Sequence, residues 1–448
     1  MRKIETDVLI LGGGWSGLAA ADLLKRQGVG VAVVEKENFL GGLARTETFN
    51  GFCFDIGGHR LSFRNVDNAA YFQSFFDGRE LLDIPRVSKI FFDGTYFDYP
   101  LTPASVVIIN KRHFWRIVAD LLFARRKAVS GNFEEWVIGH YGETLYRIFF
   151  KEYTEKVWGV PCDKLSSLWA CNRVGGGGAL RLLKNLLMNE GGTVEGVSHF
   201  KYPRHGMAAL IDALTARFEP GADLFRGADI QGFTVDGSRL KSVVFQDQGQ
   251  PLEISFKKVI STIPLAELLR VLPDFEKKDI FVHQRPVRYR SLVLVSVVVK
   301  KEHVARWHWC YFPSKNTIFS RLHEPKFWSS DMSPSSDRTL VCAEIFCDYN
   351  DACWQTEDRV LFERVVSGLK SENLVSQDDI PGEYCVRRIQ YAYPLHYCGF
   401  EKDLDSLKKS LACFSNLSLA GRSGAHAYYD MEECLNHVRS VIQDAGGV

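Results

Sequence analysis

VLILGGGWSGLAAADLLKRQGVGVAVVEK, Val8 to Lys36, is the stretch that decides the fold. An apolar run, Val8 to Leu11, ends in GGGWSG. Gly12, Gly14 and Gly17 stand at the spacing that brings backbone close to a pyrophosphate at a helix N-terminus, with Trp15 and Ser16 inside the turn. Leu18 to Gln27 then reads as a helix. A second apolar run, Val29 to Val34, leads into Glu35 and Lys36. A carboxylate at Glu35 can accept hydrogen bonds from the hydroxyls of an adenosine ribose and would repel a phosphate there. A structural turn alone explains glycines. It does not explain strand, glycines, helix, strand and acid in that order, which predict a Rossmann-type unit holding a dinucleotide.

Composition fits an enzyme with sizeable cores. The chain has 448 residues, 46% of them hydrophobic, enough for two or three domains. A formal net charge of +1 argues against a nucleic-acid partner. The 11 cysteines form no CxxC pair and have no interleaved histidine ligands, so they read as reduced thiols, with no metal site and a cytoplasmic compartment. No cleavable secretory signal is apparent at the start, and the longest apolar run, Leu292 to Val299, is too short to span a bilayer. Lys111 to Ala128 places six lysines and arginines around an apolar stretch. A solvated helix is the preferred reading there, and peripheral contact with an anionic membrane is the weaker one.

GGLARTETFNGFCFDIGGHRL, Gly41 to Leu61, follows the fingerprint. Gly41 and Gly42 remove side chains where a pyrophosphate and its linker pass, Leu43 follows them, and Arg45 offers guanidinium donors to phosphate. Gly57 and Gly58 let a strand end press on a planar ring. This segment resembles the second signature of a flavoenzyme group that includes protoporphyrinogen oxidase, amine oxidases and UDP-galactopyranose mutase, so the resemblance implies FAD as the dinucleotide.

Four further stretches resemble the mutases within that group. In YTEKVWG, Tyr153 to Gly159, the residues Phe149, Tyr153, Thr154 and Trp158 match the motif that walls a nucleotide-sugar site. On one helix the three aromatics would share a face, although an aromatic core stripe is the bland alternative. In ACNRVGGGG, Arg173 precedes four glycines, and in FSRLHEPKF the matching residue is Arg321. The mutase pattern puts these two arginines on the diphosphate. Tyr393 in AYP and Tyr428 in GRSGAHAYYDM match the tyrosines near the sugar diphosphate. Gly421 and Arg422 match a glycine-arginine pair at FAD, and a helix starting near Asp430 and Met431 would aim its amides at the flavin. His59 matches the histidine that mutases place against the flavin, where it would favour the reduced anionic form.

The resemblance implies ring interconversion between pyranose and furanose forms of a UDP-sugar, with UDP-galactose the leading candidate, in cell-surface glycan synthesis. The reduced form of FAD would be the active one, working through an N5 adduct without net redox change. The chain has no second dinucleotide fingerprint, so NAD(P)H enters only as an external reductant. Three departures weigh against a plain mutase. Lys184 stands where the mutases have an aromatic, Arg86 where they commonly have asparagine in contact with substrate, and GGHRLSF is closer to the oxidase-like members. The alternative is therefore an FAD-dependent oxidoreductase of the protoporphyrinogen oxidase, amine oxidase or desaturase kind. A homodimer is compatible with either.

The fold expected is α/β: a discontinuous Rossmann-type FAD-binding domain with an inserted helical domain and a second, mostly antiparallel β-sheet domain. The FAD-binding parts are placed at 1–70, 201–270 and 386–448. The mainly helical substrate insertion is placed at 71–200 and the substrate sheet at 271–385.

Overall fold

The computed structural model describes residues 2–78, 80–99, 115–117, 119–120, 131–168, 199–247, 249–273 and 287–444. Its first sheet is built on Arg2–Leu11, which pairs in parallel with Val31–Val34 on one side and Gln250–Ser261 on the other. Leu224–Phe225 and Leu417–Leu419 add further parallel strands at Val31–Val34 and Gln250–Ser261. An antiparallel extension, Arg239–Asp247 and Gly232–Asp236, continues beyond Gln250–Ser261. Strands from three separated parts of the chain thus form one sheet, which makes the Rossmann-type unit discontinuous.

The near-continuous apolar runs are explained by burial on both faces. Val8, Ile10, Val31 and Val33 pack with the helices Trp15–Lys25, Met207–Thr215 and Met431–Asp444. Their neighbours Leu9, Leu11, Ala32 and Val34 pack on the opposite face with Leu265–Val271 and Phe400–Leu411. The first helix runs Trp15–Lys25, three residues earlier than periodicity predicted, because Leu18 N already donates to Gly14 O at 3.0 Å.

The second sheet runs in the order Tyr384–Pro394, Tyr289–Val299, Thr339–Cys347, Arg321–His323, Trp309–Tyr311, Ser88–Phe92 and Thr95–Asp98. Its pairings are antiparallel except that Trp309–Tyr311 runs parallel to Ser88–Phe92. One face, with Val293, Val295 and Val297, is covered by the helix Asp358–Ser371. The other carries Leu292, Leu294 and Ile389 against Phe52, Phe54 and Ile56. Those three belong to the hairpin Thr46–Phe49 and Phe52–Asp55 and its exit, so the second glycine signature is packed directly onto this sheet.

Several expectations change in detail. Within 71–200, expected to be mainly helical, Leu81–Pro85, Ser88–Phe92 and Thr95–Asp98 are strands, and the last two complete the second sheet. At the end of the same range His199–Pro203 is also a strand, paired antiparallel with Leu81–Pro85. Of the stretch Lys111 to Ala128, the described residues are 115–117 and 119–120, and the rest lie outside them. Among all the described residues, no helix is long and apolar enough to cross a membrane, and all ten cysteines are free thiols.

Candidate functional site

The fingerprint and the second glycine signature meet at backbone level. Gly41 N donates to Gly13 O at 2.8 Å, and a Cβ on Gly42, whose φ is +58°, would sit 3.2 Å from Gly14 Cα. Side chains at these glycines would fill the cradle between the turns. Gly17 is packed against the Gly12 carbonyl, and Gly421 against Ser16. Glu35 accepts from Gly13 N at 2.7 Å and from Glu37 N at 2.8 Å, which fixes its carboxylate at the rim. Burial pushes its pKa up, against those backbone hydrogen bonds. Trp15 stacks on Phe72 at 4.7 Å and donates from its indole to Met431 O at 2.9 Å, so the first and last helices start side by side. Asp430 and Glu433 exchange side chain-to-backbone bonds, each 2.8 Å, as the capping box of that last helix.

A cavity of about 990 Å³ runs from this cradle to the second sheet. Gly12, Gly14, Trp15, Ser16, Glu35, Lys36, Gly42, Leu43, Arg45, Gly57, Gly58, His59, Arg422, Asp430 and Met431 all line it. Gly17 and Gly421 stand behind the wall. Arg45 crosses back to Gly42 O at 2.7 Å and pairs with Glu47 at 2.8 Å.

At the far end the nucleotide-sugar candidates converge. Phe149, Tyr153, Thr154, Trp158, Arg86, Arg321, Tyr393 and Tyr428 line the same space; Arg173 lies outside the described residues. The motif is not one α-helix. Tyr146–Lys151 is a π-helix and Glu152–Trp158 an α-helix, so the expected single face is broken. Phe149 packs on Phe92 and Phe97, Tyr153 on Tyr311, and Trp158 on Tyr393 and Tyr428. Phe149 and Trp158 therefore serve the core as well as the wall.

Tyr393 and Tyr428 stack at 5.5 Å with an 18° interplanar angle, and the Arg422 guanidinium covers both rings at 4.5 and 4.7 Å. Arg422 also donates to Ala392 O at 3.1 Å. Arg321 is held by Glu344, through Nε at 2.8 Å and Nη2 at 2.5 Å, and lies 3.5 Å from the Tyr393 hydroxyl. Burial alone would raise the Glu344 pKa, but Arg321 and His323 pull it down to about 2. A Cβ on Gly57 would lie 3.6 Å from Arg321 Nη2, which puts this guanidinium beside the glycine pair. His59 Nδ1 faces Gly57 O at 3.2 Å, and burial lowers its pKa, with Arg422 and Arg321 adding to the effect against Asp55.

Sequence reading did not single out Glu344, Trp309, Tyr311 or Lys156. Glu344 had a visible signal, a lone carboxylate inside the apolar strand TLVCAEIFC. Lys156 had none. Its Nζ donates to Phe312 O, Ser314 O, Thr317 Oγ1 and Phe319 O, at 3.2, 2.8, 3.2 and 2.6 Å, tying the motif helix to the loop before Arg321.

The family of flavin containing amine oxidoreductases matches residues 15–437. The chain belongs to that family. Membership implies FAD, and the glycine cradle, the Glu35 carboxylate and the start of the last helix fit it. Among curated proteins, this flavin containing amine oxidoreductase is 41% identical over 58 residues to an uncharacterized protein in the nifH2 3' region of Methanothermococcus thermolithotrophicus, covering 13% of this chain and 56% of that one. It is 30% identical over 98 residues to 4,4'-diapolycopene oxygenase of Methylomonas sp., covering 20% of this chain and 19% of that one. Among solved structures, reduced UDP-galactopyranose mutase superposes with a TM-score of 0.83 at 22% identity, covering 98% of this chain and 96% of that one. A protein provisionally described as protoporphyrinogen oxidase from Exiguobacterium sp. 255-15 gives 0.74 at 16% identity, covering 99% and 98%. Putrescine oxidase gives 0.65 at 16% identity, covering 99% of each chain. At these identities the structural likenesses speak for the fold alone.

Proposed function

We propose that this protein is a flavin-dependent nucleotide-sugar mutase that interconverts pyranose and furanose forms of a UDP-galactose-like sugar for glycan synthesis. The observation that carries the reading is the Arg321 guanidinium, locked by Glu344 beside Gly57 and within reach of Tyr393. A preorganised, desolvated cation next to the flavin cradle suits a leaving diphosphate. The likeness to the mutase fold supports the same reading.

Reduced FAD, when bound, would supply the nucleophile for the anomeric carbon of the sugar. The residues of the chain do the rest. Arg321 neutralises charge gathering on the diphosphate. Tyr393 and Tyr428 donate to phosphate oxygens; burial holds the Tyr393 hydroxyl up at about 12, so it stays protonated at neutral pH. Phe149, Tyr153, Thr154 and Trp158 hold the nucleoside. His59 stays neutral, because burial lowers its pKa, and its Nδ1–H faces Gly57 O, which leaves Nε2 as an acceptor.

A second reading, an FAD-dependent oxidoreductase, draws on the family description and on the aromatic walls of the cavity, which also suit an apolar reductant. Titration of the flavin-loaded protein with UDP separates the two. Under the mutase reading UDP binds and Arg321→Ala weakens it about tenfold or more. Absence of UDP binding in the native protein contradicts that reading and favours the oxidoreductase.

A further inference from the structure

Cys347 ends the strand Thr339–Cys347, and the chain turns back directly after it. Asp351 closes the turn. Its carboxylate accepts from Asp348 N at 2.9 Å and from Trp354 N at 2.7 Å, and its carbonyl accepts from Gln355 N at 3.0 Å. The turn carries Cys353 onto the apolar cluster that contains Cys347. There the two thiols hydrogen-bond to each other. Cys347 is buried and Cys353 half-buried, so Cys353 is the more accessible of the two.

Their surroundings divide the roles. The hydrogen bond with Cys347 lowers the pKa of Cys353, whereas the same contact, with burial, raises that of Cys347. Cys353 is therefore the readier source of a thiolate, and Cys347 stays a thiol beside it. The turn also belongs to the cavity. Tyr349 and Trp354 line it and meet edge to face at 5.2 Å. Between the two cysteines, Asp348 pairs with the buried Arg290 at 2.6 Å, and Arg290 Nε donates to Val157 O at 2.9 Å in the helix Glu152–Trp158. The turn is thus tied to the aromatic wall.

We propose that Cys347 and Cys353 are a redox-active dithiol that a peroxide closes to a disulfide, fixing the turn that carries Tyr349 and Trp354. A reduced flavin reoxidised by dioxygen releases hydrogen peroxide, so the oxidant is at hand under either functional reading. The Cys353 thiolate attacks one peroxide oxygen and becomes a sulfenic acid, and the hydroxide released takes up a proton as water. The Cys347 sulfur then attacks the sulfenic sulfur, the S–S bond forms, and its proton leaves with the hydroxyl group as a second water. Two thiols and one hydrogen peroxide give one disulfide and two waters. A thiol reverses the step by exchange.

The test treats the flavin-loaded protein with hydrogen peroxide, alkylates the remaining thiols, cleaves the chain before Asp348 and Asp351 without reduction, and maps the peptides by mass spectrometry. The expected result is that the peptides of Cys347 and Cys353 stay joined, two hydrogens lighter than the separate pair, and part on addition of dithiothreitol. Amide hydrogen exchange across 349–354 should slow severalfold in the bridged form. In Cys347→Ser the Cys353 sulfenic acid has no partner and should be trapped by dimedone. Alkylation of both thiols after peroxide, or bridges confined to the exposed Cys398 and Cys413, overturns the inference. A bridge that leaves exchange across the turn unchanged overturns the part given to Tyr349 and Trp354. The native peptide map decides even where the variant does not fold.

Discussion

Arg321 donates to both carboxylate oxygens of Glu344, and Glu344 is completely buried. His323 lies on the same carboxylate at 3.3 Å. The pair therefore fixes where a positive charge meets the cavity, beside Gly57 and Tyr393, before any ligand arrives. A buried ion pair often adds little net stability, but removing one partner strands the other.

Glu344→Gln is expected to cost about 3 kcal/mol of stability, since Arg321 loses its counter-charge in a desolvated place. It should also weaken UDP binding, because the guanidinium is no longer aimed. Denaturant unfolding and UDP titration of the same variant measure both effects. Native-like values in both would mean that the ion pair positions nothing.

The same pair sets an acid limit. Glu344 titrates near 2 in the folded protein, against an ordinary value of 4.5, because Arg321 and His323 outweigh the effect of burial. Between those values the unfolded chain binds more protons than the folded one, so the contribution of Glu344 is full above about 4.5 and is lost as pH falls toward 2. Unfolding free energies measured along this range should fall more steeply for the native protein than for Glu344→Gln. Parallel curves would argue against a depressed Glu344.

Lys156 makes four hydrogen bonds into the loop Phe312 to Phe319, and that loop leads to Arg321. Lys156→Met is expected to destabilise the protein by about 2 kcal/mol, through carbonyls left without their donor. Lys156→Arg should recover part of the loss. Thermal unfolding of both variants reads this out, and an unchanged midpoint in Lys156→Met would show the loop to be held by other contacts.

Gly17→Ala tests the cofactor cradle. An added methyl runs into the Gly12 carbonyl, and Thr262 Oγ1 lies 3.0 Å from it, so the fingerprint turn must open. Overpacking of this kind costs about 1–3 kcal/mol. The flavin-to-protein ratio after purification should drop well below that of the native protein; a full ratio would mean that the turn does not set FAD binding.

The cofactor end was the more legible part because its chemistry is local. Gly12, Gly14, Gly17 and Glu35 lie within one short stretch, and the close backbone approach at the glycines and the Glu35 carboxylate on Gly13 N are both set by that local spacing. The parallel strands also announced themselves, as apolar runs buried on both faces. The ligand end depends on pairs brought together across the chain: Arg321 with Glu344, and Lys156 with the loop before Arg321. Spacing carries no signal for such pairs. A solitary glutamate in an apolar strand was the one hint available. The π-turn at Tyr146–Lys151 was hidden for a related reason, since its aromatic and apolar residues suit an α-helix equally well.

Isomerisation without net redox change is tested by reducing the flavin with dithionite under anaerobic conditions and incubating the protein with UDP-galactose. Products are then separated by chromatography. A new isomer should appear with the reduced protein and not with the oxidised one, and should be lost in Arg321→Ala. No isomer, together with rapid reoxidation of the flavin in air, would overturn the mutase reading and leave an FAD-dependent oxidoreductase.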